Sequence, residues 1–213
     1  MLPLVTPLTG VASTPVASCE YTLYDGVDDA YVSTDVKFKI STAQTWAYEF
    51  YHTTVASYQG LLSQYNNSNG MSSQIQLNNA VYTYANTGNS NTTLSGLADT
   101  WVTWVMVYNG SNLVSIYKNG VASGTISVTL TAATNDFNIA RMSSALGRYF
   151  NGRMRNVYVA SGATSTPTAY DPEDPDGSLT DTTRIMYSPN GSGEDNSESI
   201  TFTKLGAPTQ VAC

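Results

Sequence analysis

The sequence predicts an all-β protein, an antiparallel β-sandwich with an extended N-terminal arm, and three observations carry that expectation. Helical spacing is almost absent, since apolar positions three and four apart are everywhere interrupted by Gly, Asn or Thr. Alternation of apolar and polar residues is frequent, as expected of half-buried strands. Asn-Gly and Gly-Ser turns punctuate it at short intervals. Sandwiches of roughly 200–250 residues around one core are ordinary, so the 213 residues read as one domain, 19–213, behind an arm, 1–18.

Along the chain, Met1 to Ser18 is apolar, uncharged and rich in small residues, and Pro3, Pro7 and Pro15 oppose a helix there. It reads as the extended arm; the ending Val16-Ala17-Ser18-Cys19 leaves an uncleaved export signal as the other reading, although no Lys or Arg precedes it. Trp46, Trp101 and Trp104 read as core. Asn66 to Gly70 and Asn86 to Leu94 are Asn, Ser and Thr runs that bury little surface, hence exposed loops. Trp101 to Tyr108 is a nearly unbroken run of β-branched and aromatic residues, a central strand covered on both faces. Val114 and Ile116, then Ile126, Val128 and Leu130, alternate with polar neighbours as strands with one buried face do. Asn109-Gly110, Asn119-Gly120 and Asn151-Gly152 supply the positive φ that tight turns need. Residues 160–183, with Pro167, Pro172, Pro175 and the acidic run Asp171 to Gly177, read as a long surface loop, and 184–205 as returning edge strands.

Charge and histidine content narrow the function. Nine Lys and Arg stand against sixteen Asp and Glu, a net charge of −7, which opposes nucleic-acid binding through a basic surface. No apolar run is long enough to be a membrane-spanning helix, so no membrane insertion is expected. His52 is the single histidine, which disfavours His-based triads and zinc sites. It lies in an aromatic stretch with Trp46, Tyr48, Phe50 and Tyr51 and reads as a packed residue.

Three phrases in order resemble the laminin-G-like, concanavalin A-like lectin/glucanase superfamily. They are Tyr24 to Val32; Thr100 to Gly110 running into Ser115 to Val121; and Phe137 to Arg141 followed by Tyr149 to Val159. The tail from Ile185 to Ser197 resembles the strand, Gly-Ser-Gly turn and polar loop that members carry before the first phrase. The resemblance implies a concanavalin A-like jelly roll. It also invites glycoside hydrolysis, which needs two carboxyls roughly 5–9.5 Å apart. No Glu-x-Asp or Glu-x-Glu alternation of that kind exists, and Glu194 and Glu198 flank Asn196 in a Gly-Ser-rich turn that cannot hold them rigidly, so the chain reads as non-enzymatic.

The candidate site residues fall into four groups. Tyr58, Tyr65, Tyr82 and Tyr84 lie near polar loops and are candidates for saccharide stacking, because a tyrosine face is apolar while its hydroxyl can hydrogen-bond. Asp25, Asp28 and Asp29 are candidate calcium ligands, with a turn held by backbone amides as the alternative; no cofactor is required by either reading. Leu2, Leu4, Val5 and Leu8 would anchor the arm on neighbouring subunits. Cys19 and Cys213 bracket the domain as a candidate disulfide, with two free thiols as the alternative.

Two functions follow. The first is a structural protein of a virion or particle surface, of the phage capsid-decoration or tail-associated type, with other copies of itself and a shell or tail protein as partners. Its motives are the Pro-rich arm and a surface rich in Ser, Thr, Asn and Tyr. The alternative is a carbohydrate-binding, lectin-like module of a secreted or cell-surface protein, with cell-surface glycans as partners and calcium as an optional aid.

Overall fold

The structure is a computed structural model, and it describes residues 20–53, 57–66, 69–77, 80–86, 88–93, 99–131, 134–142, 147–192 and 200–212. Two antiparallel sheets face each other. The first contains β1 (Tyr21–Asp25), β3 (Gln44–Tyr51), β8 (Trp101–Tyr108), β9 (Leu113–Lys118), β10 (Val121–Ser127), β12 (Asn151–Ser161), β13 (Thr183–Ser188) and β15 (Thr209–Val211). Its order is β10-β9-β8-β3-β12-β1-β15, and β13 also pairs with β12, so β1 and β13 share one side of that long strand. The second contains β2 (Ala30–Ser33), β4 (Gln59–Tyr65), β5 (Gly70–Ile75), β6 (Ala80–Ala85), β7 (Gly88–Thr93), β11 (Phe137–Ile139) and β14 (Thr203–Leu205). Its order is β14-β2-β11-β4-β5-β6-β7.

The core lies between the sheets and follows from the period of two. In β3, Trp46, Tyr48 and Phe50 point inward, and in β8 Val102, Trp104, Met106 and Tyr108 do the same. Phe38 stacks on Phe137 at 4.2 Å between ring centres, and Trp46 meets Phe137 edge-on at 5.1 Å. The turn Asn119-Gly120 closes β9 onto β10 with φ of 49° and 74°, the mirror-type turn that an Asn-Gly pair favours. Gly60 is required by contact rather than conformation: a β-carbon there would overlap the backbone of Arg141 and Met142, which crosses β4.

Several expectations need correction. Asn86 to Leu94 is not a bare loop, because Gly88–Thr93 forms the edge strand β7, paired in register with β6. Asn151-Gly152 opens β12 instead of making a turn. Trp101 is not core: it points to the outer face of the first sheet, where it is only half-buried beneath the Arg155 guanidinium at 4.4 Å. Residues 160–183 do more than cross the surface. Ser161 ends β12, and the segment that follows contains α1 (Pro175–Ser178), with Leu179 packed on the outward side chains Ala47, Val105, Val107 and Tyr158. That cover explains why β8 is buried on both faces at Val105 and Val107. The returning strands extend past residue 205, since β15 pairs with β1 while β14 pairs with β2. Leu2, Leu4, Val5, Leu8, Cys19 and Cys213 lie outside the described residues.

Candidate functional site

The outer face of the seven-stranded sheet carries one unbroken row from β14 to β6. Register pairs link Thr203 to Val32, Val32 to Asn138, Asn138 to Ser63, Ser63 to Ser72, and Ser72 to Tyr84. An outer sheet face normally meets water through charged side chains, but this row is made mostly of hydroxyls and amides. The Ser63 and Ser72 hydroxyls are buried and make no hydrogen bond among the described residues, which is uncommon for buried polar groups.

Three of the tyrosines selected from the sequence gather at one end of this row. Tyr84 lies 5.8 Å from Tyr65 and 6.1 Å from Tyr82 between ring centres, the latter pair nearly parallel at 26°. Alternation along β6 sets Tyr82 and Tyr84 on the same face. Tyr82 and Tyr84 are half-exposed, whereas Tyr65 is buried and serves as the wall behind Tyr84. The Tyr84 hydroxyl accepts from Gln74 Nε2 at 3.1 Å and from Gln76 Nε2 at 2.6 Å. Because both neighbours are donors, the phenolic hydrogen points elsewhere, and no acceptor among the described residues takes it.

Tyr58 joins through an arginine that sequence reasoning did not select. Arg148 Nη1 donates to Gln74 Oε1 at 2.7 Å, and the Arg148 guanidinium lies 4.7 Å from the Tyr58 ring centre. Tyr58 is the most open of the four, 40% exposed. Burial raises the Tyr84 hydroxyl above its ordinary pKa; Arg148 and the two glutamines pull it back, and Tyr82 adds to the rise. Burial, then the neighbouring Tyr84, raises Tyr65 as well. Both stay neutral hydroxyls across the physiological range.

The aspartates sit at a different place, the turn from β1 to β2. Their carboxylate oxygens approach within 4.8 Å of one another. Asp25 Oδ1 accepts from the Val27 and Asp28 amides at 2.8 and 3.4 Å. Asp29, buried, accepts from the Asp25 amide at 3.0 Å and from the Ala207 amide at 2.7 Å. Two of the three are therefore occupied with backbone amides, and Asp29 ties the turn to the segment leading into β15. Calcium prefers six to eight oxygens, and this trio offers the unshared oxygens of Asp28 and what remains on its neighbours.

His52 is buried and stacks on Phe50 at 6.2 Å. Burial lowers its pKa below the ordinary value of 6.5, while the Thr53 backbone and Asp99 pull upward.

Comparison with known proteins agrees with this fold. A laminin-G-type family, described as the concanavalin A-like lectin/glucanases superfamily, matches residues 25–168. The chain belongs to that superfamily.

This concanavalin A-like sandwich is similar in fold to a proposed carbohydrate-binding protein of Bacteroides ovatus. The TM-score is 0.70 at 15% identity over 98% of this chain and 65% of that one. It is also similar to mouse laminin α1 domains LG4-5, with TM-score 0.53 and 16% identity over 68% of this chain and 41% of that one. A botulinum neurotoxin DC binding domain, solved in complex with SialylT, gives TM-score 0.55 at 13% identity over 73% of this chain and 42% of that one. The superfamily member described here thus spans less than two thirds of each of these structures. No curated protein matches it. No helix among the described residues is long and apolar enough to cross a membrane.

Proposed function

We propose that the chain is a non-catalytic carbohydrate-binding module that holds saccharides on the outer face of its seven-stranded sheet. The observation that carries this reading is the arrangement around Tyr84, a half-exposed ring whose hydroxyl is fixed by two glutamine donors and keeps its own hydrogen for a ligand. Tyr82 extends the stacking surface, Tyr58 and Arg148 bound it, and the amides of Gln74 and Gln76 orient it. Rigid aromatic faces beside directed polar groups suit a pyranose, which has apolar C–H faces and a polar rim. The side chains named on this face include no pair of carboxylates of the kind glycoside hydrolysis needs.

Calcium, in this reading, is an aid at the β1 to β2 turn and not a requirement of the tyrosine face. The family and fold support an extracellular or cell-surface setting. The particle-surface role rests on the arm, which lies outside the described residues, and nothing in the described fold favours it over saccharide binding.

A glycan array with the full chain, followed by titration of each hit against Tyr84→Ala and Tyr82→Ala variants, tests the proposal. Binding that both substitutions weaken at least tenfold supports it. Binding indifferent to both, or no glycan retained, overturns it.

A further inference from the structure

Arg141 is buried, 7% exposed, and makes no ion pair among the described residues. Its Nε and Nη2 both donate to Asn138 Oδ1, at 3.1 and 2.7 Å, and its guanidinium lies 5.8 Å from the Tyr149 ring centre. The ion pairs among the described residues are Arg155 with Glu49 and Arg184 with Asp176, so Arg141 contacts an amide and a ring and is paired with no carboxylate. An arginine stays protonated under all ordinary conditions, and a charge withdrawn from water without a partner is strongly disfavoured. Two of its five N–H groups are used on Asn138, and the others remain to be placed.

Arg141 also lines a cavity of about 370 Å³ together with Val32, Thr34, Asp136, Thr201 and Thr203. Val32 and Thr203 begin the row that ends at Tyr84, and Asn138, which grips Arg141, stands in that row next to Ser63. From β11 to β6 is three inter-strand steps, about 14 Å. The cavity and the tyrosines therefore lie towards two ends of one face, with the buried Asn138, Ser63 and Ser72 between them.

We propose that the Arg141 cavity is an anion subsite that takes the carboxylate of an acidic saccharide, the neutral part of which reaches across this face towards Tyr84 above the buried Asn138, Ser63 and Ser72. With Nε and Nη2 on Asn138, the Nη1–Nη2 edge of the planar guanidinium is the one that matches a carboxylate, and Thr34, Thr201 and Thr203 bring hydroxyl-bearing residues to the lining. Asp136 lines the cavity without pairing with Arg141; its carboxylate can accept from a sugar hydroxyl, and its charge opposes any anion bound there, a doubly charged phosphate more than a singly charged carboxylate. This inference rests on the saccharide reading and adds the charge of the ligand and the place where it is read.

The test is calorimetric titration of the full chain with sialyllactose, oligogalacturonate and a sulfated lactose, each beside its neutral counterpart. The unmodified protein is expected to bind a carboxylated sugar at least tenfold tighter than the neutral one. Arg141→Gln should reduce that preference below twofold, and Arg141→Lys should keep part of it. Tyr84→Ala should weaken the acidic and neutral sugars alike and leave the preference in place. Since Arg141→Gln could fail to fold, Thr201→Val at the exposed rim provides a second variant, expected to weaken only the acidic sugar. Equal binding of acidic and neutral sugars, with Tyr84→Ala still weakening both, overturns the subsite and leaves the saccharide face standing. A sulfated sugar preferred tenfold over the carboxylated ones overturns the carboxylate assignment. Failure of every sugar overturns both readings together.

Discussion

Gln76 Nε2 donates to the Tyr84 hydroxyl at 2.6 Å, and with Gln74 on the same oxygen the phenol has no lone pair to spare and one hydrogen to give. Removing the hydroxyl while keeping the ring separates stacking from hydrogen bonding. Tyr84→Phe loses one ligand hydrogen bond, about 1 kcal/mol or roughly fivefold in affinity, whereas Tyr84→Ala loses the platform as well. Saccharide titrations of the two variants should rank wild type, Phe, then Ala; equal affinity of Phe and wild type would show that the hydroxyl is not used.

The raised pKa values of Tyr65 and Tyr84 set the pH dependence of binding on the alkaline side. Both groups remain protonated well past neutrality, so the phenolic donor persists. Affinity for a neutral saccharide should be flat between about pH 7 and pH 9, because the ordinary tyrosine value near 10 is a lower bound for these two. A decline within that interval would mean that a different group holds the ligand.

His52 predicts the acid side of stability. Its folded pKa lies below 6.5, so below that pH the unfolded chain binds a proton that the folded chain refuses. Stability therefore falls as the pH drops from about 6.5 towards the folded value, and is unaffected by this group above it. Urea midpoints measured at pH 7.5 and pH 5.0 should differ less in His52→Phe than in wild type. An unchanged difference would place the acid sensitivity on the carboxylates.

Glu49 is the buried hub of the first sheet's outer face. Arg155 Nε and Asn156 Nδ2 both donate to its Oε2, at 2.8 and 2.7 Å, while Tyr187 and Tyr170 hold Asn156 from the other side. Glu49→Ala leaves the Asn156 amide short of a partner and should cost about 1–3 kcal/mol. The double variant with Arg155→Ala should cost less than the sum of the two single ones, since the pair is in contact. Additive losses in chemical denaturation would show that the two side chains act independently.

The turn aspartates make a prediction about metal. Asp29 spans the amides of Asp25 and Ala207, so Asp29→Asn should lower the melting temperature by loosening β15 from β1. Chelation with EDTA should leave saccharide affinity at the tyrosine face within twofold. A tenfold loss on chelation, restored by calcium, would tie the β1 to β2 turn to the binding face.

Legibility from sequence followed the range of the interaction. Asn119-Gly120, the alternation through Ile116 and Ile126, and the buried Trp46 and Trp104 are written locally and were readable. Strand β7 was not, because Asn, Ser and Thr between Gly88 and Thr93 gain their order from hydrogen bonds to β6. Trp101 looked like core because sequence alternation does not say which half of an outer face is left uncovered. Tyr58, Tyr65, Tyr82 and Tyr84 were selected for their nearness to polar loops, but their mutual contacts come from pairing β4 with β5 and β5 with β6. Arg141 and Arg148 gave no local signal, since the meaning of each depends on Asn138, Gln74 and Tyr58, which other strands deliver.

The last strands bear on synthesis. Tyr21 is paired with Val211 and Tyr31 with Lys204, so each sheet receives an edge from the far end of the chain. During translation β1 and β2 therefore wait, with these edges unpaired, until residues past 211 have left the ribosome. Contacts of such sequence separation fold slowly, and exposed strand edges invite pairing between nascent chains. Yield during expression should consequently respond to chaperone supply and growth temperature more than the stability of the finished sandwich would suggest.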